Sequence, residues 1–173
     1  MHEAGCMEWK RNYLSEINNK MDCREQTKDK EVGADCKPWY KKGLRFECQR
    51  CGKCCRGEPG VVWVNGKEIK DISRFLGMTE EMFAKKYLRN IYGRISLVEY
   101  GNGDCVMYNN GCVIYEVRPC QCRTFPFWSS NIKEKNEWEK LKGQCPGIDK
   151  GRLHNLKTIR KNLIVYENRF TGE

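Results

Sequence analysis

The chain has 173 residues, with 32 basic against 23 acidic side chains, a formal charge of +9 and twelve cysteines. A mean hydropathy of −0.78 leaves a modest core, enough for one domain with an extension. No apolar run approaches the ~18 residues of a membrane span. The positive excess suits an anionic partner such as nucleic acid or an acidic protein. A solvated lysine-rich surface is the favoured account of it, and every ligating thiolate would subtract a charge. Residues 1–10 contain neither the apolar core nor the cleavage site of a secretory leader, so the expectation is a cytoplasmic chain with reduced thiols. Clustered cysteines in that setting favour metal binding over a disulfide framework.

In the charged extension 1–45, Trp9, Tyr13, Leu14, Ile17 and Met21 repeat at near-helical spacing and predict a helix over about 6–22. The polar stretch 22–35 reads as loop. Cys6, Cys23 and Cys36 have no short-range partner and read as free or packing thiols.

Four cysteines then fall within eight residues: Cys48, Cys51, Cys54 and Cys55, in the pattern C-x-x-C-x-x-C-C. A C-x-x-C turn aims two sulfurs at one point, as zinc sites and iron–sulfur loops require. A packed core has no need of such spacing. Gly52 directly follows Cys51, where a chain folding around a metal needs positive φ or close approach. The adjacent Cys54 and Cys55 are expected to diverge, toward two sites or two walls of one.

Residues 61–64 predict a short strand. Ile69, Ile72, Phe75 and Leu76 mark a helix over 67–76, stopped by Gly77. Thr79 caps a second helix whose face is Met82, Phe83, Tyr87 and Leu88. Both stripes are packing faces. The β-prone runs 95–100, 104–108 and 112–115, parted by Gly101-Asn102-Gly103 and Asn109-Asn110-Gly111, predict a hairpin or small meander. Cys105 and Cys112 flank its second turn.

Pro119 opens a helical turn and Pro126 closes it. Cys120 and Cys122 would share a face in a strand and diverge in a helix, which leaves open which one ligates. Phe125, Phe127 and Trp128 are expected to shield a metal site from water, with base stacking as a second reading. Cys145 stands alone in a turn, and spacing by itself gives it no role. Leu153, Leu156, Ile159, Leu163 and Ile164 predict a closing amphipathic helix from 152, with Lys157, Arg160 and Lys161 on its solvated face.

The cysteine run, followed by Arg56, then Gly111-Cys112-x-Ile114-Tyr115, Arg118-Pro119-x-x-Cys122-Arg123-x-Phe125-Pro126 and Cys145-Pro146-Gly147, resembles the CxxCxxCC, or YkgJ-like, family of zinc- or iron-chelating proteins. The likeness covers roughly residues 46–147. It implies eight metal ligands: Cys48, Cys51, Cys54, Cys55, Cys105, Cys112, Cys122 and Cys145. Cys120 departs from the pattern as an extra thiol. Arg56, Arg118 and Arg123 are the expected cations beside the cofactor, stabilising thiolates or donating to sulfur. The fold expected is α+β: a small, irregular, metal-centred domain over 46–148 with a short hairpin and several short helices. A C-terminal helix, 149–173, packs on it.

Three functions follow from the resemblance. The first is a [4Fe–4S] cluster in a redox or accessory (maturation) role, with a redox or client protein as partner. The second is one or two Zn2+ ions stabilising a module that recognises a partner or nucleic acid. The third is an enzyme such as a methyltransferase, since a lysine methylase of flagellin carries a similar cysteine pattern. Against the third stand the lack of a nucleotide-binding glycine loop and a supply of only two histidines, His2 and His154.

Overall fold

The structure, a computed structural model, describes residues 38–57 and 60–169. The helix expected over 6–22, the loop after it, and Cys6, Cys23 and Cys36 lie outside the described residues. The chain divides into two compact units, Met1–Lys42 and Gly43–Glu173. In the first, residues 38–42 form a turn in which the Lys41 N–H donates to the Pro38 carbonyl at 2.8 Å. The Trp39 and Tyr40 rings meet edge to face there at 5.4 Å.

The second unit is α+β, built on two separate antiparallel strand pairs and short helices. In chain order these are β1 (Leu44–Phe46), α1 (Gly66–Phe75), α2 (Glu80–Tyr87), β2 (Leu88–Ile91), β3 (Arg94–Leu97), α3 (Cys120–Thr124), α4 (Ser129–Ile132), α5 (Lys135–Gln144), β4 (Ile148–His154) and α6 (Leu156–Asn168). Short 3-10 turns sit at Lys53–Cys55 and Tyr115–Val117. β1 pairs with β4 and β2 with β3. Among the described residues no helix is long and apolar enough to cross a membrane.

The helix pair begins where the sequence puts it. Asn65 Oδ1 accepts from the Glu68 N–H at 2.9 Å, and Glu68 Oε2 accepts in return from the Asn65 N–H at 3.1 Å. This reciprocal box satisfies two backbone donors that a helix start leaves without partners. Thr79 Oγ1 accepts from the Met82 N–H at 3.2 Å and does the same for α2. Gly77, at φ 68, breaks the chain between the two helices. Their apolar faces converge on one core, in which Ile72 and Phe83 are fully buried with Val64, Leu97, Met107 and Ile114.

Three local expectations fail here. α2 ends at Tyr87, and Leu88 instead opens β2 opposite Leu97. The hairpin turns at Tyr92-Gly93, while the expected meander over 95–115 shrinks to the bridges Glu99↔Cys105 and Tyr108↔Cys112. The strand expected over 61–64 is a single bridge, Trp63↔Ser96. The reason is competition for backbone partners: the Cys105 N–H, for example, donates to the Cys55 carbonyl at 2.8 Å instead of joining a ladder.

The polar stretch 129–143 forms α4 and α5, anchored by the buried Ile132, Trp138 and Leu141. Phe127 stacks on Trp138 at 6.1 Å and meets the His154 ring at 4.9 Å, while Phe46 lies 6.2 Å from Phe127. The closing helix is present as α6, capped by Asn155. Leu153 is not on it; it belongs to β4 and is 53% exposed.

Candidate metal centre

The C-x-x-C-x-x-C-C run leaves β1 as loop and tightens into the 3-10 turn at Lys53–Cys55. Gly52 precedes that turn at φ 71, and a Cβ placed there would overlap the Tyr108 ring. Both reasons for a glycine, left-handed backbone and close approach, therefore hold at once. Cys105 is tied to this turn through the Cys55 carbonyl. Cys112 lies where Tyr115 N–H donates to the Cys112 carbonyl at 3.2 Å, opening the second 3-10 turn.

Six of the eight expected cysteines, Cys48, Cys54, Cys55, Cys105, Cys112 and Cys122, line one cavity of about 300 Å³. Cys51 and Cys145 do not line it. Cys145 caps the end of α5, and its turn is sewn to the cysteine loop by the Glu47 N–H donating to the Gly147 carbonyl at 3.1 Å. Gly147 packs so closely there that a Cβ would overlap the Glu47 carbonyl. The described cysteines are all free thiols; Cys51 and Cys54 are exposed and the others are half-buried.

The adjacent Cys54 and Cys55, expected to face two sites or two walls of one, stand with their sulfurs 4.0 Å apart. The 3-10 turn brings successive side chains round to neighbouring walls. A hydrogen bond from Cys55 holds the Cys54 thiol down at about 7, against burial and with help from the Arg118 charge. Cys112 is likewise held down at about 7 by its bond with Cys55. Cys55 keeps its proton between them and is pushed up. Burial pushes Cys122 and Cys105 up, with the neighbouring thiolate charges adding to it. For Cys145, burial again raises the thiol, and the charges that bear on it are those of Cys51, Cys54 and Cys48.

The segment at 120–124 is helical, so Cys120 and Cys122 diverge. Cys122 lines the cavity. Cys120 faces α1, its N–H donating to Glu68 Oε1 at 2.6 Å, and its thiol is pushed up to about 11 by burial and the Glu68 charge.

The three expected arginines separate. Arg118 turns toward the sulfurs, lowering Cys54 and Cys112 by its charge. Its Nε donates to the Tyr115 carbonyl at 2.8 Å, and its guanidinium lies 3.6 Å from the centre of the Tyr115 ring. Arg50 lies over the same ring at 4.1 Å. Arg56 stands at the cavity rim, 3.8 Å from the Asp104 carboxylate. Arg123 donates to the Arg118 carbonyl and lines a separate cleft with Glu68, Asp71 and Glu116. Of the aromatics expected to shield the site, Phe125 and Trp128 line the cavity. Phe127 is turned into the Trp138 core.

Sequence reasoning passed over Gln121. Its Oε1 accepts from the Trp63 N–H at 3.1 Å and its Nε2 donates to the Val61 carbonyl at 2.7 Å, which closes one wall of the cavity. The available signal was a polar residue set between two candidate ligands on one helical turn. Tyr115 was read only as part of a motif, yet its phenol shares a hydrogen bond with the Cys48 thiol. His154 is bound to the Phe46 carbonyl at 3.0 Å and packed on Phe127, a structural position remote from acid–base work.

Among the described residues, no group of three or more histidine, cysteine or carboxylate side chains stands arranged to hold a metal ion. What the fold supplies is a shared cavity and a set of soft donors on its walls. The CxxCxxCC family profile, described as "Putative zinc- or iron-chelating domain", matches residues 47–146. The chain belongs to this family. Within it lie every cysteine of the cavity and Cys145. Two uncharacterized proteins of Methanocaldococcus jannaschii, MJ0661 and MJ0939, are also similar. The first is 29% identical over 103 residues, which is 58% of this chain and 53% of the relative. The second is 32% identical over 126 residues, 65% of this chain and 40% of the relative. The chain thus matches only about half the length of these relatives. No solved structure matches it.

Proposed function

We propose that this CxxCxxCC domain holds a [4Fe–4S] cluster on four of its eight family thiols and serves in a redox or accessory role. The observation that carries the reading is the convergence of six cysteines from three separated stretches on one cavity, with Arg118 beside them. Soft thiolates suit iron–sulfur clusters and zinc alike. A cluster brings one-electron exchange to such a site. The chain's own residues bear on it in three ways. Arg118 offsets thiolate charge, Tyr115 shares a hydrogen bond with Cys48, and Phe125 and Trp128 limit water at the cavity wall.

A zinc reading has its own supporting observation. Cys55, Cys105, Cys112 and Cys122 reach the cavity from three separate stretches, and four thiols so placed are the donor set of a closed zinc site. The test is iron and zinc content, with the absorption spectrum, of protein purified without oxygen. The proposal expects a brown protein with about four irons per chain. A colourless protein with zinc and no iron would overturn the redox role and leave a structural or recognition module.

A further inference from the structure

The eight family thiols are not equivalent in the fold. Cys55, Cys105, Cys112 and Cys122 all line the cavity and are all half-buried. The first two are tied through backbone, Cys105 N–H to Cys55 carbonyl, and Cys55 shares a hydrogen bond with Cys112. On the other side, Cys51 is exposed and points outside the cavity, as does Cys145. The Glu47–Gly147 backbone bond and the tight packing of Gly147 fix the Cys145 turn against the start of the cysteine loop, beside Cys48. Cys48 and Cys54 line the cavity as well and stand at the boundary, the exposed Cys54 with its sulfur 4.0 Å from that of Cys55.

We infer that the domain carries two separate four-thiol centres, an outer one and an inner one. The outer centre is Cys48, Cys51, Cys54 and Cys145. The inner centre is Cys55, Cys105, Cys112 and Cys122. The inference rests on the metal-binding reading above but not on which metal is bound. The outer set has the form of an iron–sulfur loop: three cysteines at two-residue intervals, completed by a remote cysteine followed by proline. The inner set draws its donors from three segments around an enclosed space, as closed tetrahedral sites do, and suits a single thiophilic ion. The adjacent pair Cys54-Cys55 gives one sulfur to each.

The only exposed thiols of the eight, Cys51 and Cys54, both belong to the outer set, while Cys48 and Cys145 are half-buried like the inner four, and this assigns the roles. The outer centre is the one that exchanges electrons or metal with the surroundings, and the inner one holds the fold. The test treats the metal-loaded full chain, purified without oxygen, with a limiting dose of chelator. Newly freed thiols are alkylated and located by mass spectrometry, while released metal is counted. The expected result is early, joint labelling of Cys51 and Cys145 with release of part of the metal, the inner thiols remaining protected. Variants check it independently. Cys51→Ser and Cys145→Ser should lose the same fraction of metal and keep the circular dichroism of the wild type. Cys112→Ser should instead free Cys55, Cys105 and Cys122 to alkylation while Cys51 and Cys145 stay protected, and if it fails to fold the labelling order still decides. Release of all eight thiols together, or the same thiols freed by Cys51→Ser and Cys112→Ser, would overturn the division while leaving metal binding intact. A chain that binds no metal would overturn both.

Discussion

The helix–hairpin layer and the cysteine cavity share one stretch of chain, residues 48–122, yet are held together by different means. In the first, Ile72, Phe83, Leu97 and Ile114 are 0–2% exposed and touch one another directly. Burial on that scale stabilises by roughly 1.5–3 kcal/mol per large side chain. In the second, six thiols, Arg50, Arg56 and Arg118 surround about 300 Å³ of space that no side chain fills, with Leu97, Met107 and Ile114 of the first region forming part of its wall. Its walls are joined by single backbone bonds such as Cys105 to Cys55 and by the two bonds of Gln121. One region is finished by its own side chains. On the metal-binding reading proposed above, the other would be finished by what it binds, because a metal's free energy is folding free energy when its ligands come from distant segments.

Metal removal is therefore the strongest way to break the comparison. Stripping the metal should speed amide exchange at Cys55, Cys105 and Gln121 by orders of magnitude, leaving Ile72 and Phe83, which do not line the cavity, protected. Equal loss of protection in both regions would mean that one cooperative unit spans them. A metal-independent effect is expected from Trp138→Ala, which removes the side chain stacked on Phe127. It should cost about 3–5 kcal/mol in denaturant unfolding. The same loss should appear in loaded and stripped protein.

That contrast also decides what the sequence could reveal. Helix periodicity and the Thr79 cap made α1 and α2 legible, because such signals act locally, although Phe75 and Met82 of the expected stripes are exposed at 50% and 60%. The hairpin partner of β3 was not legible. Leu88 continues the helical face in sequence, and only its pairing with Leu97 makes it strand. α5 was hidden because Trp138 and Leu141 are its only buried anchors in an otherwise polar run. In the site, spacing identified Cys48, Cys51, Cys54 and Cys55, and the helical alternative for 120–124 is the one adopted. Cys145 had no local signal, because its relation to the loop runs through Gly147 and Glu47, a hundred residues apart in the chain. The role of Arg118 over Arg56 and Arg123 depends on side-chain direction, which no spacing encodes.

Two smaller perturbations act inside the cavity region. Gly52→Ala forces a side chain into φ 71 and against Tyr108. It should cost about 1–3 kcal/mol and lower metal content. The pH dependence of the stripped protein is a gentler probe. Cys54 and Cys112 fall from an ordinary thiol value to about 7 in the fold. Between about 7 and the ordinary value of 9.0 the unfolded chain holds more protons there, so stability should rise with pH across that window. Cys55 and Cys122 are shifted upward, so above 9.0 their effect reverses the trend. A stability that is flat from pH 7 to 9 would show that the hydrogen bonds around Cys55 do not persist without metal.

The smallest expected effect tests the comparison most sharply, because Glu68 touches both regions. Its Oε2 accepts from Asn65 at the start of α1, and its Oε1 accepts from Cys120 at the start of α3. Asn65→Ala removes the cap on the Glu68 N–H but leaves both of the carboxylate's own bonds to backbone donors. The loss should be about 1 kcal/mol, or roughly 2–4 °C in Tm for a domain of this size. Asn65→Ser should restore most of it, since serine caps nearly as well. Metal content should not change in either variant. A fall in bound metal with Asn65→Ala would mean that the cap positions Glu68, and through it α3 and Cys122. The apolar layer would then set the geometry of the sulfur cavity, and the two regions would be one device.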